Sequence, residues 1–242
     1  MKALAFAKRN FLEIIREPLN LFFGIGFPAI LLLLLSAIQA NIPVSLFEIN
    51  SLTPAMTVFG LSFMTLFSAT IISKDRESAF LGRLYATPMR AVDFILGYTL
   101  PMLPIALVQS LTCFIVGAMI GMTVSANTLL GLLFILPISL IFISLGLMCG
   151  SVLDTRAVGG LCGALLTNLT AWLSGIWFDL ELVGGAFKTI AELLPFLHAV
   201  ELERMVSMGN LSGILVHILW VIGYGVALAV IAVWLFLRQM KK

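Results

Sequence analysis

The chain has 242 residues, 61% of them hydrophobic and 11% charged, with a mean hydropathy of +1.12. A water-soluble domain carries roughly 25% charged residues, so a soluble enzyme or binding module is excluded. The net charge is +2, and the basic excess, spread over four connections, does not resemble a nucleic-acid footprint.

The first residues have a helical pattern. Leu4, Ala7, Phe11, Ile14 and Ile15 recur on one stripe, Lys2, Arg9, Glu13, Arg16 and Glu17 lie opposite, and Phe6 and Leu12 fall off the stripe. Pro18 ends the pattern. This predicts a basic amphipathic helix over 2–18 in the membrane interface. Its long charged region, with Glu13 and Glu17 and no small-residue cleavage site downstream, argues against a cleaved signal.

Six apolar stretches follow: Leu19–Gln39, Leu52–Ile72, Leu100–Ile120, Leu129–Leu153, Ala157–Trp177 and Gly213–Leu237. Each has the roughly 20 residues that a helix needs to cross a bilayer. Gly24, Gly26 and Pro28 predict a kink in the first, the third helix has a possible start near Ala91, and Pro137 interrupts the fourth. Twelve of the fourteen Lys and Arg fall on alternate connections, leaving Lys188 and Arg204 on the other side. Basic connections stay in the cytoplasm, so both termini are expected inside. Six spans leave no room for a separate soluble domain, and 1–242 is read as one transmembrane domain.

Two connections stand out. The segment 178–211 is too polar to span and too apolar for a free loop, and it predicts two short helices, Ala186–Leu194 and Leu197–Met208, broken at Pro195. On the outer side these would be re-entrant. The segment 73–91 begins with the charge cluster Lys74, Asp75, Arg76 and Glu77 and continues with Phe80, Leu81 and Leu84 at helical spacing, stopped by Thr87 and Pro88. A short amphipathic helix with mixed charge suits docking to another protein.

Chemistry-bearing motifs are absent. No phosphate-cradling Gly-Lys loop occurs, no His or Cys pair has metal-ligand spacing, and His198 and His217 have no nucleophile at motif spacing. No catalytic, cofactor-binding or metal-binding residue is assigned. Cys113, Cys149 and Cys162 read as apolar packing residues. Gly117/Gly121, Gly146/Gly150 and Gly159/Gly163 are small pairs at one-turn spacing that permit close helix contact. The spans hold neutral polar groups such as Gln109 and Asn168 but no Asp, Glu, Lys or Arg, so a proton- or ion-coupled carrier lacks its usual group. Energy for transport must then come from elsewhere.

The inner segment, with its acidic-basic start, Leu84-x-x-Thr87-Pro88-Met89 and Asp93-Phe94-x-x-Gly97, resembles the corresponding loop of the permease subunits of type-2 ABC exporters. Leu194-Pro195-Phe196-x-His198-Ala199-Val200-Glu201, preceded by Ser174-Gly175-Ile176-Trp177-Phe178, resembles that family's segment before the last span. The chain departs at Ser78-Ala79, where members often have Gly-Thr. The resemblance implies an all-α, six-span permease in the bacterial cytoplasmic membrane, paired with a second copy or a paralogue, surrounded by lipid and without nucleic acid. It implies a separate ABC ATPase that binds the ATP and Mg, coupled through Asp75, Arg76, Glu77, Leu84, Thr87 and Pro88. It also implies export of a hydrophobic or amphipathic compound (a drug, a lipid or something peptide-like) along a path between the second and fifth spans. Met56, Phe59, Phe63, Phe67 and Asn168 are the candidates for its lining. A non-transporting structural or immunity-type membrane protein and an ion-coupled carrier are the alternatives.

Overall fold

A computed structural model describes residues 2–43, 45, 47–78, 80–85 and 89–240. All regular structure among them is helical. In chain order the helices are α1 (Lys2–Arg16), α2 (Pro18–Gln39), α3 (Ile49–Glu77), α4 (Phe80–Tyr85), α5 (Ala91–Met119), α6 (Ala126–Val152), α7 (155–173), α8 (Leu180–Val183), α9 (Gly185–Leu193), α10 (Pro195–Met208) and α11 (Ile214–Gln239). Among the described residues five of these, α2, α3, α5, α6 and α11, are long and apolar enough to cross a membrane.

The stretch read as a fifth span is α7, with π-type turns over Gly159–Leu166. Its about 19 helical residues span about 28 Å, and Thr167, Asn168 and Thr170 make its second half more polar than the other five. The chain leaves it at Ser174, before Trp177.

Helix α3 forms the centre and is buried nearly along its length, whereas α11 stands at the rim and exposes Leu215, Leu219, Val226, Val230 and Trp234. Lipid tails provide no hydrophobic drive for helices to associate, so close packing and hydrogen bonds must do it. The α3–α6 contact fits this requirement. A Cβ on Gly146 would stand 2.6 Å from the Thr65 carbonyl oxygen, and one on Gly150 would stand 2.6 Å from that of Ala69. The Thr65 hydroxyl donates to the Phe142 carbonyl at 2.8 Å. The other small pairs behave differently. Gly117 accommodates Thr53, Gly121 sits in a turn at φ +109°, Gly159 faces open space and Gly163 only touches Leu66.

The prolines act less uniformly than the sequence suggests. Pro137 does not interrupt α6, which stays helical through it. In α2 the turns over Phe22–Gly26 widen to π geometry just before Pro28, which is where the kink is expected. Pro195 opens α10 at its first position after an extended Leu194 (φ −96°, ψ 153°), where its missing N–H costs nothing.

Two docking geometries were not legible in the periodicity. Helix α1 buries Phe6, Ala7, Asn10 and Ile14, while Leu4 of the predicted stripe is 66% exposed. The helix therefore meets protein on the flank that includes the off-stripe Phe6. Helix α10 packs among α3, α6 and α11, with Phe196 6.1 Å from Phe142. His198 and His217 meet through their Nδ1 atoms at 3.0 Å, and His198 stacks on Trp220 at 4.7 Å. Glu203, in the middle of α10, is 0% exposed.

A candidate coupling site at the basic end of the bundle

The charge cluster after the second apolar stretch is not a loop. Lys74, Asp75, Arg76 and Glu77 form the last turns of α3, because nothing in their sequence stops the helix before Ser78. Each of the four has an intramolecular partner. Asp75 is 2% exposed and receives two bonds from the Arg9 guanidinium, at 2.8 and 2.9 Å, and a third from the Tyr98 hydroxyl at 2.9 Å. Two-pronged guanidinium contact fixes direction as well as distance. Lys74 pairs with Glu17 at 2.7 Å.

Arg76 donates to the carbonyls of Gly150 and Leu153 at 2.8 and 3.0 Å and so completes the end of α6, where carbonyls lack helical partners. Glu77 accepts from the Thr155 backbone N–H at 2.7 Å and its hydroxyl at 2.8 Å. It thereby satisfies an orphan donor at the start of α7, beside the cap supplied by Asp154.

The ion pair is embedded in a wider contact between α1, α3 and α5. Arg9 also reaches Glu13 and the Asn10 side chain at 2.8 and 2.7 Å, and lies over the Phe80 ring of α4 at 4.6 Å. Asn10 donates to the Gly97 carbonyl at 2.9 Å. Phe6 meets Tyr98 edge-on at 4.9 Å and Phe94 at 6.0 Å, and both of those rings contact Phe236 of α11. The basic end of the bundle is therefore one connected unit of α1, α3, α4, α5 and α11.

Gly97 makes this approach possible, since the Phe6 ring occupies the space a Cβ would need. Gly97→Val is expected to lift α1 from α5, seen as faster proteolysis of residues 2–16 in the folded protein. Adding Phe6→Ala should restore part of the protection. Equal protease resistance in wild type and Gly97→Val would show that this contact does not hold α1.

Of the residues assigned to coupling, Asp75, Arg76 and Glu77 sit together here but face the protein's own helices. Leu84 packs partly buried against the core, and Thr87 and Pro88 lie outside the described residues. The candidates for a path lining do not come together. Met56, Phe59, Phe63 and Phe67 are all nearly fully buried in the single chain. Phe59 and Phe63 are covered by Phe27 of α2 and Phe63 by Phe23, with Trp177 against Phe59. In the single chain these Phe side chains fill the seam between α3 and α2. Asn168 lies apart on the exposed face of α7 and bonds its own Ala164 carbonyl at 2.8 Å.

Arg9, Asn10 and Tyr98 were missed by sequence reasoning. Asn10 carried a usable signal, being a polar residue on a helix face beside Phe6 and Ile14.

An ABC-2 type transporter family model matches residues 2–208. The chain belongs to the ABC-2 type transporter family. It is also similar to ABC transporter G family member 20 of Dictyostelium discoideum, at 30% identity over 166 residues, covering 66% of this chain and 22% of that protein. A shorter stretch of 90 residues is 34% identical to ycf38 of Porphyra purpurea, a protein named for a transport permease role, covering 35% of this chain and 31% of that protein. The aligned part is thus less than a third of either relative's length. As an ABC-2 family member the chain is a multi-pass, membrane-embedded transport permease component. The network at its basic end ties the peripheral helices α1 and α4 to the spans.

Proposed function

We propose that this chain is the six-span permease subunit of an ATP-driven exporter in a bacterial inner membrane, with α7 crossing as the fifth span. Both termini, α1 and α4 face the cytoplasm, and 178–211 lies on the outer side. A separate ABC ATPase supplies the ATP and Mg chemistry and docks within the segment 73–91, on α4. The transported compound is hydrophobic or amphipathic. The observation that carries the coupling assignment is the Arg9–Asp75–Tyr98 cluster, with its bonds of 2.8–2.9 Å. It joins the peripheral helices to the central span by short, directional contacts. A push on α4 or α1 would therefore move α3, and through Glu77 and Thr155 also α7. Asp75, Arg76 and Glu77 transmit the motion in this reading and do not touch the ATPase, whereas Leu84 belongs to the docking helix α4, and Thr87 and Pro88 follow it in the sequence.

Two copies, or one copy and a paralogue, would meet along α7. Arg156, Gly160, Ala164, Asn168 and Trp172 recur every four residues and are all exposed in the single chain. A polar Asn on a membrane-facing surface favours a partner helix. The path would then be bounded by the two α7 faces, with the phenylalanine seam of α3 reached only if α2 moves.

Arg83 tests the docking part of the proposal. It is exposed on α4, so Arg83→Glu should insert and fold as wild type. Like-charge opposition at an interface is costly, and co-purification of the ATPase with the variant should fall at least about ten-fold, equivalent to ~1.4 kcal/mol. Wild-type recovery of the ATPase and normal ATP-dependent transport would remove α4 from the docking surface.

A further inference from the structure

Glu203 takes no part in the network at the basic end. It lies at 0% exposure on the face of α10 that meets α6. Its Oε1 accepts from the Ser207 hydroxyl at 3.3 Å, and its Oε2 has no hydrogen-bond partner among the described residues. Room for the carboxyl comes from Gly131 of α6, where a Cβ would stand 2.6 Å from Oε1.

Among the described residues no counter-charge reaches this group. The neighbouring Arg204 turns its guanidinium to Glu201 at 2.8 Å and to the carbonyls of Ser51 and Gly175, both at 3.3 Å. Helix α6 contains no Asp, Glu, Lys, Arg or His, and α3 has none before Lys74. Helix α7 has only Arg156, at its far end. From α9, Lys188 and Glu192 pair with each other at 3.7 Å. From α11, His217 is engaged with His198 of α10 itself. A carboxylate in this position would be a buried anion with one weak donor, and burial pushes the Glu203 carboxyl well above the usual range.

The helix that carries it is bounded by joints. Leu194 is extended before Pro195, and Gly209 and Gly213 hold φ values of +74° and +82° after it, conformations that glycine adopts without strain.

We infer that Glu203 is a proton-binding site that latches α10 to α6. Helix α10 stays docked while the carboxyl holds its proton, and it lifts when the proton passes to water entering between the two helices. The direction from which protons arrive rests on the proposed outer placement of 178–211, but the latch itself does not. Undocked, the carboxyl titrates near the usual ~4.3; docked, it titrates higher. Docking therefore takes up a proton. The opening equilibrium is constant below the undocked value, rises about ten-fold per pH unit between the two values, and levels off above the docked one.

The test is hydrogen–deuterium exchange of residues 195–208, followed against pH for the full chain in lipid nanodiscs and corrected for the intrinsic pH dependence of exchange. Wild type should show the ten-fold rise per pH unit. Glu203→Gln, neutral at every pH, should stay as protected as wild type at its most acid, and Glu203→Leu should do the same by a different packing. At neutral pH the infrared carbonyl band of a protonated carboxyl should be present in wild type and missing from both variants. A flat wild-type profile, the same slope in Glu203→Gln, or the absence of that band from wild type would overturn the latch. Neither measurement involves ATP or a transported compound, so failure of the exporter reading would show separately, in transport.

Discussion

Arg9→Ala should detach α1 from the bundle. Removing one member of a buried ion pair costs about 3–5 kcal/mol, because the other charge is left unpaired. Arg9 is 38% exposed and Asp75 only 2%, so water compensates in part and about 2–3 kcal/mol is expected for the loss of Arg9. The stranded Asp75 would keep only the Tyr98 hydroxyl, at 2.9 Å. The measurement is unfolding in detergent, paired with proteolysis of residues 2–16. Lys8→Ala, on an exposed position of the same helix, is the control. In a double-mutant cycle Arg9→Ala and Asp75→Ala should couple by at least about 1 kcal/mol, the size found for side chains in direct contact. An Arg9→Ala protein as stable as Lys8→Ala, or additive single effects, would show that the pair does not fasten α1. If the cluster transmits motion as proposed, the same variant should also lose ATPase stimulation while still binding the ATPase through α4.

Gly146→Val is expected to disrupt the centre of the fold. The new Cβ would meet the Thr65 carbonyl oxygen at 2.6 Å and the Thr65 Cα at 3.1 Å, and backbone atoms cannot rotate out of the way. Helices α3 and α6 would have to part, straining the hydroxyl bond from Thr65 to Phe142. Overpacking typically costs about 1–3 kcal/mol, and the upper end applies where a buried backbone must move. The yield of monodisperse protein and its thermal midpoint should both drop sharply. Gly223→Val, where a Cβ meets nothing within 4 Å, should be nearly silent. Equal behaviour of the two variants would show that the α3–α6 approach is not tight.

The phenylalanine stripe of α3 shows how sequence and structure divided the evidence. Periodicity put Met56, Phe59, Phe63 and Phe67 on one face, and they do share one. Whether that face opens on a path or packs on α2 depends on where α2 lies. A stripe of apolar residues looks the same in either case, because lipid, a hydrophobic cargo and another helix all favour the same side chains.

The all-helical class, the helix breaks at Pro18 and Pro195 and the sorting of basic residues were all legible in the chain itself, since each follows from local composition or from the backbone chemistry of proline. The exact partners of Asp75, Arg76 and Glu77, the burial of Phe6 and Asn10, and the enclosure of Glu203 were decided only by the tertiary structure. Each depends on a contact between distant segments, such as Arg9 with Asp75 or Glu203 with Gly131. A charged residue near the end of an apolar stretch reads as a solvated loop until a partner on another helix is brought within hydrogen-bonding distance.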